Sequence, residues 1–201
     1  MRKDDPPSPA MIRCQGCGSA NPAYDVVHYG SIEGGYRELC THCFNAEVAR
    51  VQGLEDFENV RFHPVVMSDC AGEAHEFHFR ARLLGASVAL EAFEIEGGTP
   101  AGHQFQMPGE PDDDLLSLLG RLIERMRRRL AKRDLDETPL GLQIAGQSVR
   151  GRIEWDDATD GVLPLVVIDG QEVSWEQFGK MLMSYEGWQF RMEILDRSEE
   201  V

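Results

Sequence analysis

Along residues 74–84, AHEFHFRARLL, apolar and polar side chains alternate. Phe77, Phe79, Ala81 and Leu83 fall on one face, and Glu76, His78, Arg80 and Arg82 on the other, which predicts a half-buried strand. Gly85 punctuates the run, and ASVALEAFEIE at 86–96 predicts a second strand. Its apolar set shifts from Val88 and Leu90 to Phe93 and Ile95, which implies a bulge near Glu91. GGTPAG reads as a turn, and HQFQM at 103–107 as a third strand with His103, Phe105 and Met107 aligned. RFHPVVMSD at 61–69 predicts one more strand, placed at a sheet edge by Pro64. The four together read as an antiparallel meander.

The period then changes. In PDDDLLSLLGRLIERMRRRLAKRD, Leu115, Leu116, Leu119, Leu122, Ile123, Met126 and Leu130 make a broad apolar helix face. Asp112 to Asp114 stand at the positive end of its dipole and the Arg/Lys cluster at the negative end. Alternation returns in QSVRGRIEWD (147–156), with Val149, Gly151, Ile153 and Trp155 expected inward. VLPLVVID (162–169) is nearly all apolar and suits a central strand, followed by a turn at Asp169-Gly170. Ser174 and Gln177 form a capping box for a helix that buries Phe178, Met181, Leu182 and Tyr185 and stops at Gly187. WQFRMEI then alternates through Trp188, Phe190, Met192 and Ile194, predicting a last strand in the core, before a fraying acidic tail. Residues 58–201 thus read as one α+β domain. The stretch IDGQEVSWEQFGKMLMSYEGWQF (168–190) resembles a bacterial family of no known activity. That resemblance implies a recurring unit and supplies no function.

Residues 12–53 follow neither period for long. CQGC at 14–17 runs straight into Gly18, which suits the positive φ of a metal knuckle. A hairpin is expected around Gly34-Gly35, with strands near 25–32 and 36–39. It ends in CTHC at 40–43 and a helix to residue 52, carrying Phe44, Val48 and Val51 on one stripe and stopped by Gly53. A redox pair would need Cys40 and Cys43 alone; Cys14 and Cys17 point to a metal. Knuckle, hairpin and helix in this order resemble the treble-clef zinc finger. The resemblance implies one structural zinc ion (Zn2+) on Cys14, Cys17, Cys40 and Cys43, a closed four-thiolate site with no position for substrate.

Elsewhere candidate chemistry is sparse. His75 and His78 fall on opposite faces of their strand and cannot chelate together. His75 and His103 share the inward face, but an intervening strand should hold them roughly 10 Å apart. Packed histidines are the plainer reading, with Cys70 a small buried hydrophobe. WDDATDG (155–161) fails as a calcium loop, because Ala158 and Val167 stand where ligands are needed. Trp155, Trp175, Tyr185 and Trp188 are expected in core packing.

Charge narrows the partners. The 201-residue chain carries 35 acids against 20 bases, a net charge of −15, which disfavours nucleic acid. Residues 121–133 hold seven of those bases and one acid, yet the helix dipole accounts for the cluster without a partner. The start, MRKDDPPSPA, has no apolar core for a signal peptide and reads as a disordered leader over residues 1–11. No apolar run is long enough for a bilayer, so a cytoplasmic location is expected. These points favour a non-enzymatic zinc protein whose α+β domain binds a protein partner, with self-association open. An enzyme with a pocket around His75 and His103 is the alternative, and nucleic-acid binding through the finger and Arg125 to Arg133 a third reading.

Overall fold

A computed structural model describes residues 9–54, 57–139 and 141–199. Most of the expected leader, part of the linker near residue 55 and the last residues of the tail lie outside these. The chain is α+β. β1 (Met11–Arg13) pairs with β2 (Ala20–Pro22), and β3 (Val26–Ser31) forms a hairpin with β4 (Gly35–Cys40). Helix α1 (Thr41–Gln52) begins immediately after β4 and ends at Gly53, whose φ of 70° is the left-handed stop that its lack of a side chain allows.

The second region is a four-stranded antiparallel sheet in the order β5 (Val65–Ser68), β6 (Ala74–Leu84), β7 (Ser87–Glu96), β8 (Thr99–Gly109). This is the expected meander, with β5 on the edge just after Pro64. β8 starts earlier than the sequence suggested, because Gly97-Gly98 alone makes the turn. The bulge lies at Phe93/Glu94 rather than at Glu91. The reason is physical: β7 is covered on both faces, and Glu91 keeps its register, buried by ion pairs to Arg80 (2.8 Å) and Arg82 (2.7 Å). Apolar periodicity cannot see a carboxylate buried in this way.

Helix α2 (Leu115–Leu130), capped by Asp114, packs on β7 and β8. It buries Leu115, Leu118, Leu122, Met126 and Leu130, whereas Leu116 is exposed; the face is turned by one position from the expected one. In α1 the corresponding slip leaves Val51 exposed and buries Ala49 and Asn45.

Beyond α2 come two elements that the pattern did not announce, a hairpin of β9 (Leu135–Thr138) with β10 (Gly141–Ile144). A three-stranded sheet follows, β11 (Arg152–Trp155), β12 (Pro164–Ile168) and β13 (Gln171–Ser174), with β12 central as expected. Helix α3 (Trp175–Leu182) starts at the Ser174–Gln177 capping box. Here the inward face of β11 is reversed: Ile153 and Trp155 are exposed, and Arg152 turns in to donate to the Gly102 carbonyl (3.2 Å). Nor does the expected last strand form. Trp188, Phe190, Met192 and Ile194 are all exposed in a segment without strand pairing, and Trp155 in β11 and Trp175 in α3 are exposed as well. Alternation shows which side chains share a face, but burial needs a second surface, and none of the described elements supplies one. Leu182 is likewise exposed, and Cys70 is at the surface, its backbone N–H donating to the Leu130 carbonyl at the end of α2.

The buried residues fall into two clusters. One joins Cys14, Leu39, Cys40, Phe44 and Val48 to the inner faces of β6 to β8 and to α2; the other lies within residues 135–181. Asn45 pins the first together. Its Nδ2 donates to the Ala81 carbonyl (2.8 Å), and its Oδ1 accepts from the Leu83 N–H (2.9 Å), so one side chain satisfies the edge of β6 past the end of β5. Asn45→Ala would leave two buried backbone groups unpaired at about 1 to 3 kcal/mol each. Chemical denaturation should show that loss, and a cost under about 0.5 kcal/mol would mean that water takes over the edge.

Candidate metal centre

The knuckle between β1 and β2 carries Cys14 and Cys17, the end of β4 supplies Cys40, and the first turn of α1 supplies Cys43. Their four sulfurs lie within 4.8 Å of one another. Cys17 Sγ is 3.9 Å from Cys40 Sγ, close to the roughly 3.8 Å edge of a tetrahedron with metal–sulfur bonds of about 2.3 Å. The backbone is shaped around this cluster. Gly18 takes φ 76°, and a Cβ at Gly16 would stand 3.0 Å from Cys43 Sγ. Amide groups of Gly16 (3.3 Å) and Cys40 (3.2 Å) donate to Cys14 Sγ.

The sulfurs are electrostatically unequal. Burial would raise the Cys14 thiol, but N–H groups of Cys40, Cys17 and Gly16 outweigh it and bring its pKa down to about 6. The Ser19 hydroxyl, 2.8 Å away, lowers Cys17. Burial pushes Cys40 and Cys43 up, with the Cys17, Cys40 and Cys14 sulfurs adding to the rise at Cys43. Two sulfurs whose ionisation is eased beside two whose ionisation is opposed make a pocket that a cation completes. Four thiolates suit a soft or borderline metal. His42 is exposed and is not among the clustered ligands.

A second group of potential ligands gathers on the sheet. His75 on β6 and His103 on β8 both turn to Glu94 on the strand between them. Each Nδ1 meets one carboxylate oxygen, at 2.8 and 3.0 Å, and the two rings are 4.9 Å apart rather than the expected two strand spacings. The bulge causes this: it leaves Gly102 and His103 outside the ladder, with Gly102 at φ 57°, and swings His103 over Glu94. Burial would raise Glu94, but the ring and backbone N–H of His103, with His75, hold it down to about 2. His103 also lines a cavity of about 410 Å³ walled by Arg125, Arg152 and Asp169. Cys70 does not join this group, and His78 points elsewhere, to Glu76 at 3.1 Å.

Three domain families together span the chain. Residues 13–55 match a domain of unknown function (DUF7685), residues 58–131 a second (DUF7686), and residues 134–199 a third (DUF7713). No curated protein and no solved structure matches. The first family segment contains all four cysteines. The second contains His75, Glu94 and His103, and the third contains the other buried cluster.

The basic run of α2 is largely engaged within the chain. Arg127 pairs with Glu124, Arg129 approaches Asp134 at 3.7 Å, and Arg133 approaches Asp69 at 3.6 Å. Arg125 donates to the carbonyls of Gln106 (2.7 Å) and Ser198 (3.1 Å). No helix among the described residues is long and apolar enough to cross a membrane.

Proposed function

We propose that this is a non-enzymatic zinc-binding protein. One structural zinc held by Cys14, Cys17, Cys40 and Cys43 stabilises a treble-clef-type module, and the α+β region binds a protein partner. Four cysteine sulfurs at tetrahedral spacing leave no open position for substrate, and a knuckle, hairpin and helix carrying such a closed set is the pattern of structural zinc.

The observation that carries the partner half is the closing segment. Trp188 (62% exposed), Phe190 (87%), Met192 (60%) and Ile194 (75%) put large apolar side chains into solvent within one short stretch. Clustered exposed apolar residues of this size mark interaction surfaces, and aromatic side chains dominate binding energy there. The stretch is tethered beyond its end, where Arg197 donates to Gln104 Oε1 (3.1 Å), so it is presented as a spanned segment rather than a free end.

Changing all four residues to Ser should leave the fold and metal content intact, since exposed positions contribute little to stability. The wild-type chain is expected to form a complex, with itself or with a host protein, detectable by crosslinking and sedimentation, and the same variant should abolish it. Unfolding of the variant would mean that these side chains are core after all; a fully retained complex would remove the segment from the interface.

A second reading, an enzyme with a pocket at His75 and His103, draws support from one feature, the meeting of both rings at Glu94 beside the 410 Å³ cavity. Substituting both histidines and comparing metabolite binding separates it from the first reading.

A further inference from the structure

We propose that His75, Glu94 and His103 form a second metal site, for a divalent ion of the zinc class, separate from the four-cysteine centre and on the sheet itself.

Three adjacent strands each contribute one ligand, and the ligand atoms lie within 4.8 Å of one another. Two imidazole nitrogens with one carboxylate is a donor set for zinc or a neighbouring transition metal, not for calcium or magnesium, which take oxygen. The N···O distances of 2.8 and 3.0 Å are those of hydrogen bonds. Around an ion with bonds near 2.0 to 2.1 Å, tetrahedral ligand edges measure about 3.3 Å, so the side chains need to part by only a few tenths of an ångström.

Two glycines are cut to this cluster. A Cβ at Gly102 would lie 2.4 Å from a Glu94 carboxylate oxygen, and one at Gly170 would lie 2.6 Å from His103 Nδ1. Gly102 sits in the bulge that aims His103, and Gly170 sits in the turn between β12 and β13 that closes over the same ring. Side chains at either place would fill the space the ligands use. A bulge that re-aims one side chain and a turn from another region shaped to the same ring are the marks of a built site.

In His75, Nδ1 meets Glu94 and Nε2 is buried with no hydrogen-bond partner. When a metal binds, each Nδ1 proton moves to Nε2 through exchange with water. The Nδ1 lone pairs and a Glu94 oxygen then turn to the ion. Carboxylates of Asp69 and Glu73 come within 4.8 Å of a His75 ring nitrogen without a hydrogen bond to it in this structure; a small shift would let one of them orient the metal-bound ring. Three protein ligands leave a fourth position for water or a small anion, and the cavity against His103 offers access and guanidinium groups on its wall.

The test uses the full chain and cobalt(II) as the probe, with total metal counted separately. Cobalt on four thiolates gives intense charge-transfer bands, while cobalt on nitrogen and oxygen gives only weak visible bands. Two equivalents are expected, one of each kind. His103→Ala should remove the weak-band equivalent and leave the thiolate bands unchanged, so failure at one centre is distinguishable from failure at the other. Glu94→Gln, which keeps the shape and one acceptor oxygen, guards against misfolding and should weaken the second equivalent by about a hundredfold or more. A wild-type chain that takes up only the thiolate-bound ion overturns the proposal. So does a second equivalent that binds the two variants as tightly as the wild type.

Discussion

Cys40→Ser, or removal of the metal by a strong chelator, is expected to unfold far more than the cysteine module. Structural zinc contributes about 10 to 16 kcal/mol of apparent binding energy at neutral pH, against a total domain stability of about 5 to 15 kcal/mol. In many small modules the effect would end at the module's border. Here Leu39, Cys40, Phe44, Val48 and Ala49 share one buried cluster with Phe77, Leu83, Leu118 and Met126. Losing the ion frees α1, and with α1 goes the cover on β6 and the two hydrogen bonds from Asn45. Hydrogen exchange read by mass spectrometry should show protection falling through β6, β7 and β8 as well as residues 12–52. The second cluster, within residues 135–181, has its own apolar contacts and should lose least. Cys70→Ser should change neither metal content nor protection, because Cys70 is exposed and outside the cluster. Full protection of the sheet after chelation would make the cysteine module an appendage.

Glu91→Ala should be the costliest single change away from the metal. Its side chain is only 7% exposed and faces Arg80 and Arg82, which are 15% and 30% exposed. Removing one partner of a buried ion pair costs about 3 to 5 kcal/mol, because the remaining charge has lost both water and counter-ion. Arg80 is further committed, with its guanidinium 5.2 Å above the Phe93 ring and donating to the Tyr24 carbonyl, so it cannot swing out freely. The denaturation midpoint should fall with its slope unchanged. Replacing Glu91, Arg80 and Arg82 together by apolar residues should recover much of the loss. A single-variant cost below about 1 kcal/mol would show that water reaches the pair.

How far the sequence disclosed this molecule depended on what each residue had to face. The strands β6 and β8, helix α2 and the Ser174–Gln177 cap were legible because each is a local pattern with one buried side, or a short-range bond. The four cysteines were singled out by spacing alone, since two knuckles need the same few residues wherever they occur. Failures came where a position's role is set by a distant neighbour. Glu91 reads as a break in an apolar run, but two arginines on the next strand make it a buried residue. Asn45 reads as an ordinary polar helix position, and nothing local reveals that a strand edge needs its amide. Trp188 to Ile194 alternate like a core strand and lack a partner surface among the described residues. The meeting of His75 with His103 turned on a displaced bulge; the glycine at 102, just ahead of the histidine, was the available signal.

Asn45 also bears on how the chain is made. The free edge of β6 past β5 is the kind of surface on which unfinished sheets stick to one another. The residue that covers it belongs to α1, which ends at Gln52, while the edge atoms belong to Ala81 and Leu83. At synthesis rates of about 5 to 20 residues per second, the metal-bound helix is complete seconds before that edge leaves the ribosome. The sheet therefore emerges against a surface already formed to receive it. A cell short of the metal would deliver the same edge uncovered, and the damage would first appear as insoluble nascent protein rather than as a lost activity.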